Sequence, residues 1–572
     1  MEWQTTYKEW LDYDNLSPMV RENLVSLVDN QTELEDAFYA PLEFGTAGMR
    51  GKLGAGINRM NIYTVRQAAE GLARFIENQG EEAKKRGVAI AYDSRHQSSE
   101  FAMESGRVLA AHGIKSYIFE NLRPTPELSF TVRELHCIAG IMITASHNPA
   151  EYNGFKVYGA DGGQMPPHDA DEVIKYVRSI ENPLNIKTLP ITESKDFIKM
   201  IGEDIDDLYL DQLKTVTINN EMIKRSGKQL NMVFTPLHGT GKMLGEKALL
   251  EAGFTNVALV EEQAIADPNF STVDSPNPEE KNAFEYAISL GKQNGADVLV
   301  ATDPDADRLA AAVRMPNGDY EVLSGNQLAS VMIHYILSQK ADNEELPKNA
   351  VVLKSIVSSE LPTAICQKYK VKMESVLTGF KFIAEKIKQY EETKEYTFMF
   401  GFEESYGYLI KPFVRDKDAI QTLVLLAEIA TYYREKEQTL YDGLQEIYTE
   451  FGFFEEKTIS LTKQGVEGLK EIQDIINSIR QELPNMFGEL AVSYVEDYLT
   501  QTRHKQDGTT ETLTLPSANV LKFFLEDGSW IAVRPSGTEP KIKFYMGIVG
   551  KSKDVTEKKL SMLESSLAAY IE

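Results

Sequence analysis

A chain of 572 residues is too long for a single hydrophobic core and predicts three to five domains. Its 42% hydrophobic and 26% charged residues are ordinary for a globular protein, and a formal net charge of -26 argues against nucleic-acid binding, which needs a basic face. An anionic substrate must therefore be held by local cations against the overall field. No apolar run of 18 residues predicts a membrane span, and the N-terminal text MEWQTTYKEWLDYDNL lacks the basic and apolar regions of a leader. Cys137 and Cys366, in apolar or mixed text, predict buried free thiols and a reducing cytoplasm.

Residues 1–40 predict amphipathic helix, with Trp3, Trp10, Leu11, Leu24 and Leu27 as its apolar positions. A glycine-rich loop, FGTAGMRG (44–51), follows. Helix is predicted over 63–79 and 99–112, and strand over 88–92, 116–119 and 137–144, an alternation that signals an α/β layer with mostly parallel strands. Helical and polar text from 169 to about 205 closes this first domain. A second α/β unit has strands at 231–235, 256–260 and 297–301, the last running into DPDADR (303–308). A third has strands at 351–356, 372–376 and 397–401 and ends in GFEES (401–405). Three successive units that each end a strand on a polar loop suggest a diverged triplication. Beyond about residue 451 the pattern becomes α+β, with a helix at 465–483, a hairpin of strands 520–525 and 530–533 about Asp527-Gly528, the loop RPSGTEP (534–540) and a strand at 542–549. The predicted domains are 1–205, 206–323, 324–450 and 451–572.

The text around Ser146, TASHNP (144–149), places a serine just beyond a buried strand, where open α/β sheets carry their chemistry; the competing reading is an ordinary polar turn. DPDADR sets Asp303, Asp305 and Asp307 at i, i+2 and i+4, on one side of an extended loop, a hard oxygen site suited to Mg²⁺. An EF-hand would need glycine where Arg308 stands and glutamate where Arg314 stands. RPSGTEP offers a guanidinium, hydroxyls and a glycine as a phosphate cradle, and FGTAGMRG has the same ingredients. Glu403 and Ser405 share a face of an extended segment and suit vicinal sugar hydroxyls. HGTGKM (238–243) is not a phosphate-binding P-loop, GAGINR (54–59) is not a dinucleotide fingerprint, and Ser146 has no G-x-S-x-G frame. His147, next to Ser146, is expected to diverge from it, against a hydrolase triad.

FGTAGMRG, TASHNP, DPDADR, GFEES and RPSGTEP, in that order, resemble the α-D-phosphohexomutases, a family of glucose, mannose and pentose phosphate mutases, over nearly the whole chain. The resemblance implies three similar mixed-sheet α/β domains plus a C-terminal α+β domain around a central cleft. It implies that Ser146 carries the transferable phosphate and, with Asp303, Asp305 and Asp307, ligates Mg²⁺. It gives Glu403 and Ser405 to the sugar hydroxyls, Arg534, Ser536, Gly537, Thr538 and Lys543 to the phosphate, Thr378 and Gly379 to sugar orientation, and Arg50, Arg308 and Lys417 to the cations around the site. His147 and Lys156 are the family's candidates for proton transfer, and Lys156 or Lys417 could act as base only with a lowered pKa. The implied reaction interconverts glucose 1-phosphate and glucose 6-phosphate through a phosphoserine enzyme and glucose 1,6-bisphosphate, with a small sugar phosphate as the partner. RPSGTEP and SYGY (405–408) are closer to bacterial glucomutase and pentomutase branches, which leaves the preferred sugar open. A metal-dependent phosphatase and a silent sugar-phosphate sensor are the other classes weighed.

Overall fold

The first core grows outward from the helix Ile62–Asn78. Val65, Ala68, Ala69, Leu72, Ala73 and Ile76 recur at helical spacing and are all buried. Asn61 caps the helix, its side chain accepting from the N–H groups of Tyr63 (3.0 Å) and Thr64 (3.2 Å), and the Thr64 hydroxyl accepts from Asn61 N–H in return. The computed structural model describes residues 2–45, 48–463, 465–536 and 540–571. They divide into two units, one of Met1–Leu323, Ala384–Phe400 and Ser405–Leu440, the other of Ser324–Ile383, Gly401–Glu404 and Tyr441–Glu572.

In the first unit the opening segment is three short helices, Glu2–Asp12, Pro18–Ser26 and Gln31–Phe38. Pro18 and the Asn30 cap break the continuous helix that periodicity suggested. Trp10 and Leu24 are buried against Tyr63, but Leu11 faces solvent. The sheet behind them runs Phe44–Gly45, Gly48–Lys52, Tyr152–Gly159, Ala139–Ile143, Val88–Tyr92, Ser116–Phe119, Ile198–Ile201 in spatial order among the described residues. It is mixed, because Ala139–Ile143 pairs antiparallel with Tyr152–Gly159 and parallel with Val88–Tyr92. Ile198–Ile201 adds a parallel edge strand in text read as helical and polar. A second sheet orders Tyr320–Val322, Leu309–Arg314, Val298–Thr302, Met232–Thr235, Val257–Leu259. In both sheets the polar loop joins neighbouring antiparallel strands: Ile143 pairs with Phe155 across the Ser146 loop, and Thr302 with Leu309 across the aspartate loop. The repeated unit is thus a strand, a loop and a return strand.

In the second unit Ala350–Ser355 and Lys372–Val376 pair in parallel. The C-terminal part is an antiparallel sheet in which alternate residues of Trp530–Pro535 serve two cores. Ile531 and Val533 pack with Ile472, Ile476 and Leu563 from the helices Gly465–Gln481 and Lys553–Ile571. Trp530 and Ala532 pack with Ile356, Val357 and Leu377. Both Cys137 and Cys366 are buried free thiols, pushed up to about 12 by burial. No described helix is long and apolar enough to cross a membrane.

Candidate active site

Ser146 sits three residues past the strand Ala139–Ile143, where the chain must turn to enter Tyr152–Gly159. The turn is made with Ser146 itself at φ 50°, the left-handed region that a non-glycine residue rarely adopts. This brings its buried hydroxyl onto Asp303, with Ser146 Oγ donating to Asp303 Oδ2 at 2.7 Å. It also brings His147 Nδ1 to 3.2 Å from the same oxygen, so the two side chains converge where an extended segment would have parted them.

Asp303, Asp305 and Asp307 do gather, but not as the alternate residues of an extended loop. The loop is a tight turn in which Ala306 takes φ 50°, its N–H donates to Asp303 O, and Asp303 N–H donates to Arg308 O. All three carboxylates are buried and offer oxygens within 4.8 Å of one another. Lys156 Nζ lies 2.7 Å from Asp305 Oδ2 and 3.6 Å from Asp307 Oδ2, and Lys417 Nζ lies 3.1 Å from Asp307 Oδ2 and 3.0 Å from Asp416 Oδ1. Thr125 Oγ1 donates to Asp305 Oδ2 at 2.8 Å. Asp305 Oδ1 and Asp307 Oδ1 are buried with no hydrogen-bond partner. Buried carboxylate oxygens without donors, in a cluster of three carboxylates, fit a hard cation as the group that completes them. Three carboxylates in this pattern can therefore hold a metal ion.

The electrostatics agree. Burial, reinforced by Asp305 and Asp307, pushes Asp303 well above the usual carboxylate range. Burial would do the same to Asp305, but the Lys156 ammonium and the Thr125 hydroxyl hold it far below. Burial disfavours the charged form of Lys156, yet Asp305 and Asp307 outweigh it and hold the ammonium above its ordinary value. The carboxylates around Lys156 thus act against the lowered pKa that a base would need. His147 moves the other way: burial, then Arg308 and Arg50, keep its imidazole well below the usual value.

Several residues that build this site were not singled out in the sequence. Gly407 is one, since a Cβ there would meet Lys417 Cδ at 2.1 Å, so glycine lets that lysine stem reach Asp307. Gly239 and Thr240 belong to HGTGKM, dismissed as a P-loop. A Cβ on Gly239 would meet Pro304 Cα at 2.3 Å, and Thr240 donates from both N (2.8 Å) and Oγ1 (2.9 Å) to Pro304 O. The motif buttresses the aspartate loop. Arg50, from the strand Gly48–Lys52, donates to Asn148 Oδ1 at 2.8 Å, and Arg308 donates from Nη1 to Glu279 Oε1 at 2.7 Å.

The remaining predicted residues fall mostly in the second unit. Gly379, at φ 123°, donates its N–H to Glu403 Oε1 at 2.7 Å, and the Thr378 hydroxyl beside it is buried without a partner. Glu403 ends the strand Thr397–Glu403, so Ser405 lies in a turn and does not share an extended face with it. Arg534 pairs in register with Lys543 on Lys541–Gly550, and Ser536 N–H donates to Lys541 O at 2.7 Å. The Tyr545 hydroxyl is raised by burial and by Glu404 and Glu403, and lowered by Arg534, with which it hydrogen-bonds. The acidic strand end and the arginine therefore share a neighbour. Gly537 and Thr538 lie outside the described residues.

Fold and site together define a multidomain α/β protein with a strand-end serine held against a buried, cation-ready aspartate cluster. Four successive segments match the phosphoglucomutase/phosphomannomutase family: α/β/α domain I over residues 41–184, domain II over 207–316, domain III over 324–451 and the C-terminal domain over 469–557. Phosphoglucomutase of Staphylococcus haemolyticus strain JCSC1435 is 40% identical over 543 residues, covering 94% of this chain and 96% of that one. Phosphoglucomutase of Staphylococcus aureus strain MSSA476 is 39% identical over 539 residues, 94% and 95% of the two chains. Among solved structures, Paramecium parafusin superposes with a TM-score of 0.68 at 16% identity, covering 93% of this chain and 96% of that one, which shows the shared fold. The chain belongs to the phosphoglucomutase/phosphomannomutase family, the α-D-phosphohexomutases, and has its four-domain α/β architecture with mixed sheets.

Proposed function

We propose that this protein is a phosphoglucomutase, interconverting α-D-glucose 1-phosphate and glucose 6-phosphate through a phosphoserine at Ser146 and bound glucose 1,6-bisphosphate. The observation that carries the reading is the Ser146 hydroxyl, 2.7 Å from Asp303 in a buried cluster with two unpartnered carboxylate oxygens. Near-full-length likeness to two staphylococcal phosphoglucomutases supports the sugar. We place the joints between domains near residues 205, 323 and 450, and the enzyme in the cytoplasm, in keeping with its buried free thiols.

The Ser146 phosphate moves to the free hydroxyl of the bound monophosphate, and the bisphosphate so formed turns end for end. Ser146 Oγ then takes back the other phosphoryl group. Asp303, Asp305 and Asp307, with a Ser146 phosphate oxygen, would hold Mg²⁺, which when bound neutralises charge on the phosphoryl group in transfer. Lys156 and Lys417 keep the carboxylates compensated as that group comes and goes. His147, whose Nδ1 lies 3.2 Å from Ser146 Oγ, is assigned the proton exchanged there. Arg50, bonded to Asn148 of the Ser146 loop, and Arg308, at the end of the aspartate loop, add cations beside the site. Thr378, Gly379, Glu403 and Ser405 orient the sugar. Arg534, Ser536, Gly537, Thr538 and Lys543 bind the phosphate that is not reacting.

Two measurements test this division of labour. Arg534→Ala removes a charge-assisted contact of about 1.5–3 kcal/mol. KM for glucose 1-phosphate should rise roughly 10- to 100-fold with a smaller change in kcat, and an unchanged KM would show that RPSGTEP is only a turn. The second compares kcat/KM for glucose, ribose and mannose 1-phosphates at saturating bisphosphate and Mg²⁺, expected in that order of preference. Vicinal equatorial hydroxyls on carbons 3 and 4 of glucose look alike after the turn, whereas a shorter pentose carries its phosphate less far toward Arg534. A tenfold advantage for ribose 1-phosphate, about 1.4 kcal/mol of transition-state preference, would make this a phosphopentomutase.

A further inference from the structure

We infer that Arg95 is the positioning residue of the Ser146 loop, a clamp that fixes the backbone on both sides of the reacting oxygen; the inference rests on reading Ser146 as the phosphate carrier. Arg95 lies just past the carboxyl end of Val88–Tyr92, and its side chain is wholly buried. Nη1 donates to Pro149 O (2.8 Å) and Tyr152 O (2.9 Å), while Nη2 donates to Ser146 O (2.6 Å) and Asn148 O. Carbonyls of a surface loop ordinarily turn to water. Here four of them converge on one guanidinium, whose face lies 4.9 Å from the Phe270 ring centre.

Asp93 completes the device. Its Oδ2 is 3.3 Å from Arg95 Nε, and its Oδ1 accepts from Arg95 N–H (3.0 Å) and Ser98 Oγ (2.9 Å). Thr144 Oγ1 donates to Asp93 Oδ2 at 2.6 Å and accepts from Ser146 N–H at 2.8 Å. One Asp93–Arg95 pair therefore holds the N–H of Ser146 through Thr144 and its C=O directly. Those two restraints keep Ser146 in its left-handed conformation and so aim Oγ at Asp303. In each catalytic cycle Ser146 gains and loses a highly charged group. An unclamped loop would relax after each transfer, and a displacement of about 1 Å of a reacting atom costs on the order of 100-fold in rate. Arg95 touches no reacting atom. Its planar fork of donors is what lysine lacks, since an ammonium cannot reach four carbonyls lying in two directions.

The test is single-turnover phosphoryl transfer from the phosphorylated enzyme to glucose 6-phosphate, with steady-state kinetics and thermal unfolding alongside. Arg95→Lys should slow the transfer and kcat by roughly 100-fold with KM changed less than about threefold. Thr144→Val, which keeps the buried charge pair but cuts the link to Ser146 N–H, should slow the same step by about tenfold. A purely structural arginine would instead lower Tm while folded variant enzyme kept the wild-type transfer rate, and that result overturns the inference, as would a loss confined to KM. If Arg95→Lys does not fold, Thr144→Val decides alone: a wild-type transfer rate overturns the clamp. Wild-type enzyme that carries no phosphate on Ser146 overturns the mutase reading as well, whereas active wild type with equally fast variants overturns only the clamp.

Discussion

Ser146→Ala is expected to abolish turnover, lowering kcat by about 10⁴-fold or more, the scale on which removing a covalent nucleophile acts. The substitution deletes the only atom of that side chain that can bond phosphorus and leaves Asp303 Oδ2 without its 2.7 Å donor. The fold should survive, because alanine fits wherever serine does and the backbone clamp on residue 146 is made by its N–H and C=O. Intact mass after incubation with glucose 1,6-bisphosphate should show one added phosphate on the wild type, mapped to the peptide holding Ser146, and none on the variant. A fully active Ser146→Ala enzyme, or a label on another residue, would remove the phosphoserine mechanism altogether.

The second large effect belongs to the aspartate cluster. Asp305→Asn keeps the size of the side chain and one acceptor for Thr125 and Lys156, but removes the charge. A metal ion stabilises charge on a phosphoryl group in flight by several kcal/mol. Weakening its site should lower kcat by roughly 10²- to 10⁴-fold, about 3–5 kcal/mol. A readout independent of turnover is available. Mg²⁺ at about 100 times its dissociation constant should stabilise the wild type by roughly 2.7 kcal/mol and raise Tm by several degrees. Asp305→Asn should lose most of that rise at the same Mg²⁺ concentration. Full wild-type activity in excess chelator, together with a Tm indifferent to Mg²⁺, would contradict a metal site here. In the absence of metal, two opposing effects meet in the variant. Losing one of three clustered carboxylates relieves repulsion, while the Lys156 ammonium loses the partner that Asp307, 3.6 Å away, replaces only in part.

Much of the scaffold was legible because it depends on short-range pattern. The strands Val88–Tyr92, Ser116–Phe119 and Lys372–Val376 begin and end where the sequence predicts them. The Asp527-Gly528 turn joins the strands predicted on either side of it, Gly528 supplying φ 87°. The edge strand Ile198–Ile201 was not legible, since four residues are too short a run to show a period and IKMI is strand because Ser116–Phe119 offers it hydrogen bonds. Asp93 and Arg95 carried one usable signal, charged residues directly beyond a buried strand's carboxyl end in an α/β sheet, the same signal that marked Ser146.

The sequence by itself determined the chemical inventory: a serine and three aspartates at alternate positions, each on a loop that follows a buried strand, and a set of arginines and lysines. It determined the order of domains too, because hydrophobic period and turn residues act over a few residues at a time. Only the tertiary structure decided how these groups are charged and aimed. Lys156 is an ammonium locked to Asp305, 149 residues away in the chain, and no local pattern encodes that pairing. Ser146 and His147 converge because a left-handed residue, fixed by Arg95 and Thr144, replaces the extended backbone their text suggests. The physical reason is range. Backbone preference is set by near neighbours, whereas desolvation and Coulomb interaction depend on which distant groups the fold buries together.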